Sequence, residues 1–177
     1  IEVLRGENED VAKELAQQMG RPVRYGGEFR SLNERARYLI DLAPTALAPK
    51  QPSDVRDGFK RYISRTPVGV VFVVAPWNYP YLTAINTVVP ALMAGNAVLM
   101  KHAAQTLLVG ERFQNALDKA GLPAGLFHNI VLSHDDTARV LSSGSVDHVT
   151  FTGSVEGGRA IERAAAGTFT TVTLELG

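Results

Sequence analysis

The stretch Val68 to Ala75 is an unbroken apolar run that ends in Pro76-Trp77-Asn78, and no other feature restricts the fold of this chain as much. A strand with one face in water alternates apolar and polar residues. A strand that is apolar throughout must be covered on both faces, as happens inside a parallel sheet flanked by helices. The chain beyond it is rhythmic. Helix-period segments at Tyr81 to Met93, Leu107 to Ala120, Asp135 to Leu141 and Val155 to Ala166 alternate with strand-like segments at Ala97 to Met100, Phe127 to Val131, His148 to Phe151 and Thr170 to Leu174. Strand and helix alternating at this pitch form βαβ units, so the expected class is α/β with a doubly wound parallel sheet.

The first third reads differently. An amphipathic helix is expected from Asn8 or Asp10 through Val11, Leu15 and Met19, with a capping residue in front and Gly20 behind. Phe29, Leu32, Ala36, Leu39, Ile40 and Ala43 recur at helical spacing up to Pro44, where the missing amide and the ring should end or bend a second helix. Pro49 to Asp57 reads as a loop, and Phe59 to Arg65 alternates like a half-exposed strand. The chain thus divides into a helical part over 1–57, a strand over 58–67 and the α/β unit over 68–177.

Composition excludes several classes. The 177 residues carry 18 basic and 18 acidic side chains, so nothing in the charge balance points to nucleic acid or an anionic membrane as partner. The longest apolar run is about ten residues and contains a proline, against the roughly 20 that a membrane helix needs. There is no cysteine, hence no disulfide or thiolate metal site, which is compatible with a cytoplasmic location. The four histidines show no metal-ligand spacing, and no metal is expected.

Candidate chemistry gathers at strand ends, where ligands bind in doubly wound folds. In Ala75-Pro76-Trp77-Asn78-Tyr79-Pro80 two prolines bracket a rigid turn. The amide of Asn78 is placed either to donate to a developing oxyanion or to cap the next helix, with Trp77 filling core. Lys101 ends the next strand, either meeting a ribose or phosphate or simply solvated, with His102 in the following loop. Phe151-Thr152-Gly153-Ser154, with Gly158 a turn later, opens a helix; Ser154 either adds to a phosphate cradle or caps the helix. Glu175 is a general base or a solvated strand end. Neither a G-x-G-x-x-G after the first strand, a P-loop nor a G-x-S-x-G elbow is present.

Pro76-Trp77-Asn78, Lys101, Phe151-Thr152-Gly153-Ser154 with Gly158, and Glu175-Leu176-Gly177, in this order and at these separations, resemble the aldehyde dehydrogenase superfamily. The likeness covers about the middle third of a typical member. It implies a Rossmann-like NAD(P)-binding domain cut before the catalytic domain, from a cytoplasmic oxidoreductase that is a dimer or tetramer when full length. It also implies that a cysteine thiolate, absent from this chain, attacks the aldehyde, that hydride passes to NAD(P)+ and that water hydrolyses the thioester. Asn78 then matches the oxyanion-stabilising asparagine and Glu175 the general base. Lys101 matches the lysine at the adenosine ribose or 2′-phosphate, Gly153 and Ser154 the pyrophosphate turn, and Trp77 a cofactor-cleft position. Residues 58–67 resemble a strand of the oligomerisation arm. Many NAD-preferring members carry glutamate three residues after the lysine; here Ala104 stands in its place, so NADP is expected to be tolerated. The chain opens on Ile1 and closes inside the Glu175-Leu176-Gly177 motif, so an internal fragment without activity of its own is expected. The alternative is a non-catalytic NAD(P)-binding or assembly module built on the same fold.

Overall fold

A computed structural model describes residues 1–53 and 57–177. Five strands form one fully parallel sheet: β1 (Val70–Ala75), β2 (Ala97–His102), β3 (Phe127–Asn129), β4 (His148–Gly153) and β5 (Thr171–Leu176), in the order β3-β2-β1-β4-β5. The chain winds outward from β1 to β3, returns beside β1 as β4 and continues to β5. The order therefore reverses between β1 and β4.

The central strand explains the layers. In β1, Val71, Val73 and Ala75 pack with α4 (Pro80–Met93), α5 (Leu107–Lys119) and the amino-terminal helices, while Phe72 and Val74 pack with α6 (His134–Ser142) and α7 (Val155–Ala165). Because successive side chains point to opposite faces, a continuous apolar run supplies both cores at once. Every strand and helix expected after Val68 is present, each within a few residues of its expected bounds.

The amino-terminal part is α1 (Glu2–Gly6), α2 (Asn8–Met19) and α3 (Phe29–Leu47). Gly20 ends α2 in the left-handed conformation (φ 73°), as a glycine C-cap does. The short α1 is not legible in the sequence, where one turn gives no periodicity to read. α3 runs on past Pro44 to Leu47. The proline is exposed, so the carbonyl it leaves unbonded, that of Ile40, lies on the watery side of the helix.

The strand expected at Phe59 to Arg65 is not formed; its one pairing is the antiparallel bridge Lys50–Ile63, closed by two backbone bonds of 2.9 and 2.8 Å. Alternation makes a segment suited to a strand, but a ladder needs a neighbour along its length, and none lies alongside among the described residues. Part of the loop expected from Pro49 to Asp57, residues 54–56, lies outside the described residues. No helix among the described residues is long and apolar enough to cross a membrane.

His102, expected in a loop, is the last residue of β2 and is 1% exposed. Its ring stacks on Phe113 of α5 with centroids 6.4 Å apart, and neither ring nitrogen has a partner among the described residues. Burial, reinforced by the neighbouring Lys101 charge, pushes its pKa down to about 3, so it packs as a neutral ring. The unfolded chain takes up a proton near pH 6.5 that the folded chain refuses until about pH 3. Stability is therefore lost as pH falls through that window. His102→Phe is expected to flatten this acid limb: in denaturant titrations from pH 7 down to 4, the stability difference between variant and parent should move steadily in the variant's favour, by at most about 3 kcal/mol.

Candidate active site

Parallel strands all end on one rim, and the order reversal between β1 and β4 keeps their outgoing chains apart, leaving a crevice. There the structure has a cavity of about 810 Å³, walled by the segments that leave β1, β2 and β4 and by the end of β5. Trp77, Asn78, Lys101, Ala104, Gly153, Ser154 and Glu175 all line it. Gly158 does not. A Cβ on Gly158 would stand 2.7 Å from Leu176 Cδ2, so this glycine lets α7 lie close against β5. The glycine of α7 at the cavity wall is its neighbour Gly157, which no sequence motif singled out.

Gly157 and Gly153 share one neighbour. A Cβ on either would come within 2.7 Å of the Phe151 ring tip, so the ring lies against backbone at both points. Ser154 is the N-cap of α7, its Oγ accepting the Gly157 amide at 3.1 Å. The capping alternative is thus realised, and it leaves the first turn of α7, with its free amides and positive dipole end, at the cavity wall.

Asn78 is exposed, and its Oδ1 accepts the Tyr79 amide at 3.0 Å. That bond does not cap α4, whose N-cap is Tyr79 and whose first turn opens with Pro80. With Oδ1 engaged, the Nδ2 donors have no partner among the described residues. Trp77 is 48% exposed, so it stands at the cavity and does not fill the core.

Lys101 is the informative side chain. It is 6% exposed and forms no hydrogen bond or ion pair among the described residues. Burial pushes its ammonium down from the ordinary lysine pKa. An isolated buried charge is costly unless something pairs with it. Successive residues of β2 point to opposite faces, so Lys101 reaches the cavity while His102 enters the opposite core. Glu175 is exposed near the end of β5, beside Thr152 of β4. β4 lies between β1 and β5, which puts the strand carrying Glu175 about 10 Å from the one leading to Asn78.

A dinucleotide suits this surface, which offers a cation without a partner among the described residues, a helix N-terminus and glycines that bring backbone to the wall. The sequence profile of the aldehyde dehydrogenase family matches residues 1–177. The chain belongs to the aldehyde dehydrogenase family. It is 32% identical to an aldehyde dehydrogenase of Paenarthrobacter nicotinovorans, the match covering 99% of this chain and 39% of that protein. Its fold is similar to succinic semialdehyde dehydrogenase from Streptococcus pyogenes in complex with NADP+ (TM-score 0.89, 29% identity, 99% of this chain and 38% of that one). A betaine aldehyde dehydrogenase from Staphylococcus aureus, solved with NAD+, superposes with a TM-score of 0.89 at 28% identity, over 98% of this chain and 35% of that one. The chain thus spans less than two fifths of the length of these relatives.

α6 also lines the cavity, through His134, Thr137 and Leu141. These residues form no pattern in the sequence. Only the rule that helices follow strands at the carboxyl rim could have placed the start of α6 there. Glu28, 54 residues before Leu82, accepts the Leu82 amide at the start of α4 and was equally invisible.

The unpaired ammonium has a measurable cost. Lys101→Met is expected to stabilise the ligand-free protein by on the order of 1 kcal/mol, because it removes an uncompensated buried charge. The unfolded lysine holds its proton to a higher pH than the folded one, so the parent gains stability as pH rises towards 10.5. The variant's advantage should shrink over that range, as thermal melts across the alkaline pH range would show.

Proposed function

We propose that the protein containing these residues oxidises an aldehyde to a carboxylic acid with NAD+ or NADP+. The observation that carries this reading is the cavity at the switch point, which gathers a buried Lys101 without a partner among the described residues, the open amide of Asn78, the start of α7 and the carboxylate of Glu175. The likeness to relatives solved with NADP+ and NAD+ supports it.

In this reading the Lys101 ammonium holds the adenosine ribose or its 2′-phosphate. The first amides of α7, with Gly153 and Ser154, take the pyrophosphate, and Trp77 flanks the cleft. A dinucleotide held by these residues would supply the acceptor for the hydride that leaves the aldehyde carbon. A cysteine thiolate adds to that carbon, and the Asn78 amide donates to the oxyanion that forms, where a fixed donor is worth several kcal/mol. Glu175 accepts the proton of the cysteine or of the water that hydrolyses the thioester. The 177 residues contain no cysteine, so the nucleophile must come from elsewhere in the protein, and this chain alone is expected to be inactive.

In the same reading residues 58–67 supply a strand to an oligomerisation arm, pairing there with a neighbour they lack among the described residues of the single chain, and the exposure of Phe59, Tyr62 and Ile63 (70%, 58% and 64%) supports this. Ala104, exposed at the cavity beside the strand of Lys101, leaves room for a 2′-phosphate and adds no charge to repel it.

In the complete protein, reduction of NAD+ or NADP+ should depend on an added aldehyde and vanish when the nucleophilic cysteine is replaced by alanine. Binding of the dinucleotide without any aldehyde-dependent reduction would favour instead a non-catalytic NAD(P)-binding or assembly module. Ala104→Glu should weaken NADP+ relative to NAD+ by roughly tenfold or more, about 1.4 kcal/mol, through repulsion of the 2′-phosphate. Titration of both dinucleotides against parent and variant measures this directly, and strong rejection of NADP+ by the parent would overturn the Ala104 assignment.

A further inference from the structure

The turn that carries Asn78 is gripped from a distance. Glu28 lies just before α3, and its side chain is 2% exposed. Its Oε2 accepts the Leu82 amide at 3.0 Å and its Oε1 accepts from Arg21 Nη1 at 3.0 Å. The same Arg21 guanidinium stands over the Tyr79 ring, 5.5 Å from its centroid. Tyr79 in turn donates its amide to Asn78 Oδ1 at 3.0 Å. Arg21 and Glu28 thus hold the chain on both sides of Pro80, immediately after Asn78.

Three observations say that this grip is built. α4 has no side-chain cap of its own, so the buried Glu28 carboxylate supplies from outside what the first turn lacks. Glu28 occupies the left-handed region (φ 63°), a conformation costly for a non-glycine residue that persists where the surroundings over-determine it. Gly27 before it has no room for a side chain, since a Cβ would stand 2.6 Å from Val11 Cγ1 of α2, and its amide donates to Asn8 Oδ1 at 3.3 Å. The mount is therefore clamped to α2 before it reaches α4. Burial pushes the Glu28 carboxyl above the ordinary carboxylate range, as expected of a charge removed from water.

We propose that Glu28 and Arg21 are positioning residues for Asn78, fixing the direction of its Nδ2 donors through Leu82 and Tyr79. The inference rests on the oxyanion role proposed for Asn78. A donor aimed at developing charge is worth most when it needs no reorganisation as the reaction proceeds, and small misplacements cost rate steeply.

The test is a double-mutant cycle in the complete enzyme, with Glu28→Gln and Asn78→Ala alone and together, reading kcat/KM for the aldehyde, the affinity for NAD(P)H and the melting temperature. Glu28→Gln keeps an acceptor for Leu82 but loses the ion pair. It should lower kcat/KM roughly tenfold to a hundredfold with dinucleotide affinity unchanged, and most of that loss should disappear in the Asn78→Ala background. An equal loss in both backgrounds, or a lower melting temperature with kcat/KM unchanged, would overturn the positioning role and leave the function of Asn78 standing. An Asn78→Ala enzyme as active as the parent would overturn both. Should Glu28→Gln fail to fold, Arg21→Lys, which keeps the charge but loses the planar stack on Tyr79, enters the same cycle with the same criteria.

Discussion

Val70–Ala75 has to be covered on both sides, and the arrangement of the molecule follows from that requirement. An apolar strand in the middle of a parallel sheet needs two helical layers, and two layers need a chain that winds in both directions from one strand. The reversal falls beside β1, between it and β4. Because all five strands run the same way, the segments leaving β1, β2 and β4 and the end of β5 meet on one rim. The cavity is the space that this winding leaves unfilled. Core and site are consequences of one burial constraint.

The distribution of charge separates scaffold from site. Where charged groups serve the scaffold they are satisfied: Arg112 of α5 is bonded to both Glu7 and Glu14, raising its pKa above the ordinary value, and Glu7 also takes Lys119. This network ties the amino-terminal helices to the α/β unit. Glu28 is buried but shares its two oxygens between Arg21 and Leu82. Lys101 is buried with no partner among the described residues. Among the described residues, Lys101 at the cavity wall is left open where the charges of the Arg112 network are paired. The same economy applies to hydrogen bonds. Asn78 Oδ1 is engaged locally, and the donor side of the amide remains open towards the rim.

Much of this was legible because the signals are local. Period-two and period-3.6 patterns act within a few residues, so the alternation after Val68 predicted every strand and α-helix that the structure contains there, though not the 3-10 turn over Ala104–Thr106. Residues at the ends of apolar runs were readable as rim residues for the same reason, since a parallel sheet sends every strand end to one side. Local patterns misled where a neighbour was decisive. Phe59 to Arg65 has the alternation of a strand but, among the described residues, no strand pairing beyond the Lys50–Ile63 bridge, and the approach of α7 to β5 made Gly158 a packing glycine while Gly157 lies at the cavity.

The sequence by itself determined the class of fold, the elements after Val68 and which side chains stand at strand ends, because each depends on the identity and spacing of nearby residues. Tertiary structure alone decided the strand order, the burial of Lys101, the neutral packing of His102 on Phe113 and the reach of Glu28 to Leu82. Those facts depend on which distant segments come together. Contact across 54 residues is fixed by the packing of whole helices, and no pattern within either segment encodes it.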